Sequence, residues 1–390
     1  MIVLPIKKPA TNKKETGYWM TVVSDRKCDV LYLHSTIVNQ VCDNMDKMTN
    51  AERLEAIVKG ELPDRVPVHD VACITVSKAM GYVWKDVRYD AKVSAKITDE
   101  FNKLTGSDFE FGPLETPAMF MDLGVEVSQP DDNYGNVMSQ YWKESEDIEK
   151  KDLYDPLNPK ESVMMRKGIV DKIEAYRKVN STGALTSGWS WGVITTAGFL
   201  RGVETLLMDT MMEPDLAHAA IKKSAKLVDG VMRAGSDGGD YIWVPDPTAS
   251  GTVINLETFK EFDLPYTKDL VKGWKKDYGF SIIYHVCGDT IPIMDAIPDT
   301  GIDILSADHA IDLAEARKIV GDRIALMGNV HPIDVLWNGN AKMIEEASLK
   351  CIEAAGKDGK FILSGGCEVP RDTPIANIKA MMDVGKSYTY

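Results

Sequence analysis

The sequence predicts an α/β fold, a (β/α)8 TIM barrel preceded by an N-terminal extension, and three observations predict it. Short apolar runs alternate with longer amphipathic stretches at intervals of roughly 20–40 residues, the rhythm of parallel strands joined by helices. The last four strand candidates follow one another quickly to near the chain's end, as closure of a ring requires. The 390 residues are 44% hydrophobic and 27% charged, globular values and enough chain for two ordinary domains or one large barrel. We divide the chain into an extension, 1–44, and a barrel domain, 45–390. A doubly wound open sheet is the competing architecture. No GxGxxG follows any strand candidate and no GxxxxGK[ST] occurs, which weakens a dinucleotide or P-loop reading.

Taken in order, residues 1–44 show no clear helical period, and YLHSTIVNQV suits a short strand or a short helix equally. Thr49 or Asn50 then caps a helix with Glu52 in its first turn, Leu54, Ile57 and Val58 on one face, Gly60 at its end and Pro63 beyond. Arg65–His69 reads as a first strand. Residues 106–160 look like an excursion from the barrel, and their charged run KESEDIEKKD reads as a solvated helix face. Further strand candidates are Gly183–Trp189, Asp240–Pro245, Ser281–Val286, Ile302–Ala307, Ile324–Asn329 and Phe361–Ser364. Helical stretches between and after them are Asp215–Ala234, Leu256–Tyr278, Thr290–Ile297, Ala314–Val320 and Ala341–Ala355.

Composition narrows the function. A net charge of −14 and a pI near 5.0 argue against binding along nucleic acid or an anionic membrane. Six cysteines are too sparse for a disulfide scaffold, and no window approaches the length of a transmembrane helix. The amino end carries its basic residues after a short apolar start, the reverse of a secretory signal. The expectation is a cytoplasmic enzyme with a small-molecule substrate.

His285 and Cys287 end the strand in SIIYHVCGD, and Cys367 ends another in FILSGGCEVP. Residues two apart on a strand point the same way, so the imidazole and first thiol can face one point. Barrel active sites are built at the carboxyl ends of the strands, where Cys367 also falls. One imidazole and two thiolates suit zinc, and three protein ligands leave a position open for chemistry. Buried cysteines are commonly packing, so spacing alone leaves both readings open. Glycine beside each thiol (Gly288, and Gly365-Gly366) allows close approach and favours the metal. Cys28, Cys42, Cys73 and Cys351 lack such company and read as structural. Asp246, Asp308 with His309, Asn329 and His331 also follow strands. They are candidate ligands, orienting groups or proton donors, or else turn residues. Asp308 is the candidate fourth or exchangeable zinc ligand. Trp189 and Trp191 offer a flat wall for a planar ligand, or core filling.

These residues stand in segments that resemble the uroporphyrinogen decarboxylase superfamily: NAERLEAIVKGELPDRVPV, FLRGVETLLMDTMMEPDLAH, HVCGDTIPIMDAI, ALMGNVHPIDVLWNG and FILSGGCEVPRDTPIANIKAMM. The likeness runs from about residue 46 to the end and is strongest from 181. It is closer to the zinc-containing, corrinoid-linked methyltransferases, both the methylcobamide:coenzyme M type and the demethylating type acting on methoxy compounds. The resemblance implies a TIM barrel, Zn2+ held by His285, Cys287 and Cys367, and a corrinoid (cobalamin) carried by a partner protein over the barrel mouth. Of the strand-end residues, Asp246 and Asp308 are the expected catalytic groups, and Trp189, Trp191, Asn329 and His331 the residues expected to bind cofactor or substrate. The expected activity is transfer of a methyl group from a methylated small molecule, a methoxylated aromatic foremost, to the cobalt of a corrinoid protein. The alternatives are methylcobamide:thiol transfer and porphyrinogen decarboxylation. The stretch HDVACITVSKAMGY holds no arginine, whereas a polycarboxylate substrate needs cationic partners. A homo-oligomer is compatible with all three.

Overall fold

A computed structural model describes residues 46–390, and Met48–Tyr390 form one compact unit. The extension 1–44, with Cys28, Cys42 and YLHSTIVNQV, lies outside the described residues. The opening helix is Asn50–Lys59. Thr49 caps it in a capping box with Glu52, and Gly60 ends it in the left-handed conformation.

Seven strands form one wholly parallel sheet in the order β1-β7-β6-β5-β4-β3-β2. They are β1 Val68–His69, β2 Ser187–Trp189, β3 Tyr241–Pro245, β4 Ser281–Val286, β5 Ile304–Ala307, β6 Ala325–Val330 and β7 Phe361–Gly365. Among the described residues the edges β1 and β2 meet through a segment read from the sequence as part of an excursion. Asp108 N donates to Val68 O at 2.9 Å, Leu185 N to Asp108 O at 2.8 Å, and Glu110 N to Leu185 O at 2.8 Å. Phe109 and Leu185 form a parallel bridge there. Residues 108–110 thus supply the eighth position of the ring.

β1 is shorter than the expected Arg65–His69. Pro67 has no N–H to donate, and Arg65 is drawn into a buried ion pair with Asp108 at 2.7 Å. The expected helix Thr290–Ile297 is instead a pair of tight turns, Ile291–Ile293 and Ile297–Thr300, each with a proline at its start that breaks a continuous helical ladder. The charged run holds the short helix Ser145–Lys150, its acidic and basic side chains largely exposed.

The two-residue period sorts each strand. Ile242, Val244, Ile282, Tyr284, Leu305 and Leu326 pack into the layer between sheet and helices. Tyr241, Trp243, Ile283, Ile304, Ala325 and Ile362 take the other parity and another cluster. Residues of that second parity run up to a cavity at the carboxyl ends of the strands.

Candidate metal centre

His285 and Cys287 close β4, and Cys367 follows β7 in the loop after Gly365. The three side chains converge: Cys287 Sγ is 3.3 Å from His285 Nε2 and 3.8 Å from Cys367 Sγ. Among the described residues this is the group of three whose ligand atoms lie within 4.8 Å of one another. Both sulfurs are free thiols, far beyond the ~2.05 Å of a disulfide. Two sulfurs each ~2.3 Å from a tetrahedral ion would stand about 3.8 Å apart, so the spacing fits a shared zinc-sized cation.

Local structure explains the convergence. β4 and β5 are in register at His285 and Ser306, and Ser306 Oγ lies 3.0 Å from His285 Nδ1, leaving Nε2 to face the thiols. Gly288 turns the chain at φ 74°, and a Cβ there would stand 2.6 Å from Thr252 Oγ1. A Cβ on Gly366 would strike the backbone of His309 at 2.4 Å.

The two thiols act as one titrating pair. Cys367, hydrogen-bonded by Cys287 and set beside His285, is held down to about 4, while the Cys287 thiol is driven up because it keeps the proton against the neighbouring thiolate. Burial alone would depress His285, but the Cys367 thiolate and the Asp308 carboxylate outweigh it and raise that imidazole. One thiolate, one thiol and an imidazole packed together are a ready soft-cation site.

A cavity of about 750 Å³ opens over this group. Trp189 and Trp191 line it, as expected for a ligand wall, but not as a flat surface. Their rings meet edge to face, 5.2 Å apart at 73°, the arrangement ring quadrupoles favour. Trp243, stacked on His285 at 6.0 Å and 15°, extends the aromatic lining, as do Phe111 and Tyr134.

The other sequence candidates, Asp246, Asp308, Asn329 and His331, stand outside the residues that line this cavity. Asp246 is fully buried on the outward parity of β3, beyond Ile242 and Val244. Its Oδ1 accepts Thr195 N at 2.9 Å and Thr195 Oγ1 at 2.6 Å, capping the helix Val193–Arg201. Its Oδ2, like that of buried Asp263, finds no donor among the described residues. Burial raises both carboxyls above their ordinary range, and they share a proton. Asn329 clips the loop after β5, donating to the carbonyls of Asp308 at 3.0 Å and Ile311 at 2.9 Å. His331 caps the turn Pro332–Trp337 through Nδ1. Both hold loops at the carboxyl ends of the strands, and the His331 ring lies 4.1 Å from that of His309. Asp308 is nearer to expectation. It is buried, its charge bears on all three cluster residues, and its Oδ1 accepts Ala310 N and lies 2.8 Å from His309 Nδ1.

Several cavity residues escaped the sequence reading. Cys73, taken as merely structural, lines the cavity while its sulfur accepts Leu114 N at 3.4 Å. Glu368 adjoins Cys367, and burial pushes its carboxyl up to about 7. Tyr134 and Asp132 come from the excursion, which Glu115 pins inside the fold by accepting Trp84 Nε1 and Gly135 N, each at 2.6 Å. Arg371 of the β7 loop pairs with Asp132 across the cavity rim. Alternation in SIIYHVCGD carried a signal; residues 111–137, irregular apart from the one-turn helix Ala118–Met121 and the bridge of Val127 to Val137, carried none.

The uroporphyrinogen decarboxylase (URO-D) family profile matches residues 49–388. Methylcobamide:CoM methyltransferase MtbA of Methanosarcina acetivorans is 27% identical, the alignment covering 89% of this chain and all of that one. The chloroplastic uroporphyrinogen decarboxylase of Nicotiana tabacum is 31% identical, but over 46% of this chain and 44% of its own. A solved methyltransferase from Methanosarcina mazei superposes with a TM-score of 0.75 at 21% identity, over 87% of this chain and 98% of that one, which establishes the shared fold. The match spanning helix Asn50–Lys59 to the last helix leaves one conclusion: this chain belongs to the uroporphyrinogen decarboxylase (URO-D) family.

Proposed function

We propose that this chain is a zinc-dependent methyltransferase that passes a methyl group from a methylated small molecule, a methoxylated aromatic foremost, to the cobalt of a corrinoid protein. The observation that carries the reading is the group His285, Cys287 and Cys367 at a roomy cavity rather than sealed in packing. The likeness to methylcobamide:CoM methyltransferases over their whole length supports it. The decarboxylase alternative is weakened by the same cavity, where Arg371 is the one arginine or lysine among the described lining residues.

Zinc bound there would supply Lewis acidity toward an ether oxygen, or make a bound thiol nucleophilic. The chain's residues do the rest. Ser306 holds the imidazole so that Nε2 presents its lone pair. The thiol pair surrenders its remaining proton when it binds a cation, and two thiolates then cancel a divalent charge. Asp308 is held beside the cluster, in reach of an exchangeable ligand role. The aromatic walls exclude water and fix the plane of an inserted ring. A corrinoid protein would dock over the same open end. The four described cysteines are free, as a reducing cytoplasm would keep them, and no helix among the described residues is long and apolar enough to cross a membrane.

The test has two arms. Metal analysis of the purified protein should find one zinc per chain, and cob(I)alamin should turn into methylcob(III)alamin when methoxylated aromatics are added. Full activity in zinc-free protein would end the proposal. The relatives' own activity makes methylcobamide:thiol transfer the second reading; consumption of methylcobalamin only when a thiol is added would favour it.

A further inference from the structure

The charges around the cavity point to a narrower substrate class. Resting on the reading above for the word donor alone, we infer that the cavity accepts an uncharged aromatic methyl donor and rejects anionic ones. Phe111, Tyr134, Trp189, Trp191 and Trp243 form its walls, an aromatic lining in which Trp189 and Trp191 meet edge to face. Trp243 continues this surface to the imidazole of His285, so a ring held there has its substituents near the metal-ligand group.

The cavity offers no unengaged counter-charge for an anion among its described lining residues. Among its described lining residues stand three carboxyl side chains, Asp132, Glu368 and Asp372, against the single guanidinium of Arg371. That guanidinium is already engaged: it pairs with Asp132, donates to the Asp132 carbonyl at 3.2 Å, and lies 3.3 Å from Asp372. Glu368 faces inward, with Oε1 accepting Ile74 N at 2.8 Å. The cluster adds no positive surplus, because two thiolates offset a divalent ion. A ring bearing a carboxylate or sulfonate would give up its water and meet no unpaired cation, whereas an ether, phenol or amide gives up far less. Selectivity here works by withholding a partner from the wrong ligand.

Three near-isosteric probes test this: 4-methoxybenzamide, 4-methoxybenzoate and 4-methoxybenzylammonium. Each is titrated into the purified full-length protein while tryptophan fluorescence is followed, a binding signal independent of methyl transfer. The amide is expected to bind at least about tenfold tighter than the benzoate. A benzoate that binds as well as the amide overturns the inference. So does a benzylammonium that binds better than the amide, which would make the cavity a cation cage. The same probes are then offered with cob(I)alamin. Amide-selective binding with no cobalt methylation from any probe would sink the demethylating role and leave the charge selectivity standing. Fastest methylation from the benzoate would keep the role and overturn the selectivity.

Discussion

Two groups of titratable side chains gather near the carboxyl ends of this barrel's strands, and they do opposite things. His285, Cys287 and Cys367 face a cavity of about 750 Å³. Asp246, one strand away, turns to the other side of the sheet, where it is fully buried and meets Thr195 and Asp263, and Asp263 in turn accepts the hydroxyls of Thr267 and Tyr284. The carboxyl pair is fully buried and the two thiols are half-buried, yet both groups share a proton and both shift pKa strongly. Perturbed titration therefore does not separate a reactive site from a structural one here. Access does, and access follows from which parity of the strand the residue occupies.

Variants can sharpen or break that contrast. Cys367→Ala removes one of three ligands and is expected to abolish zinc binding and lower methyl transfer by more than about a hundredfold, since even outer partners of a ligand are worth 10- to 100-fold. Metal analysis and the cobalt assay measure it, with circular dichroism confirming the fold. Ser306→Ala frees the imidazole of His285 to rotate and should weaken zinc about tenfold, read by competition with a chelator. Trp191→Leu should raise the KM for an aromatic donor about tenfold while zinc content stays at one per chain. Asp263→Asn, on the closed side, should leave zinc content and methyl transfer unchanged.

The closed pair should announce itself in stability instead. Both carboxyls sit above their ordinary range in the folded chain, so folding retains a proton that the unfolded chain releases. That stabilisation is complete below the ordinary carboxylate range and is lost as pH rises through the raised values. Asp263→Asn removes one acid and should flatten the decline in thermal stability as pH rises above the ordinary carboxylate range, as melting curves recorded across pH would show. An equally steep decline in the variant would show that the pair is not the source.

The legible part of the site follows from the same geometry. His285 and Cys287 were readable because strand period and strand-end position coincide in SIIYHVCGD, and the barrel because its apolar runs alternate with amphipathic ones. Asp246 stands out in the sequence for its flanking prolines and its strand end, while its parity, two residues beyond Val244, turns it toward the helices. Asn329 and His331 were in the right place but take their partners from turns that no local pattern reveals. Tyr134, Asp132 and Phe111 lie in a stretch held by tertiary contacts such as Glu115 with Arg88 at 3.2 Å, which leave no periodic trace. The ring's eighth position, residues 108–110, is too short for any alternation to show.

That short segment carries one more implication. Phe109 bridges to Leu185 where the sheet meets itself, and Phe111, two residues on, touches whatever occupies the pocket. Wall and seam are one piece of chain. A guest pressed against the wall thereby braces the join, and the whole barrel should resist heat better when filled. Melting curves recorded against a library of small methylated compounds would then identify the natural guest without any need to watch a methyl group move.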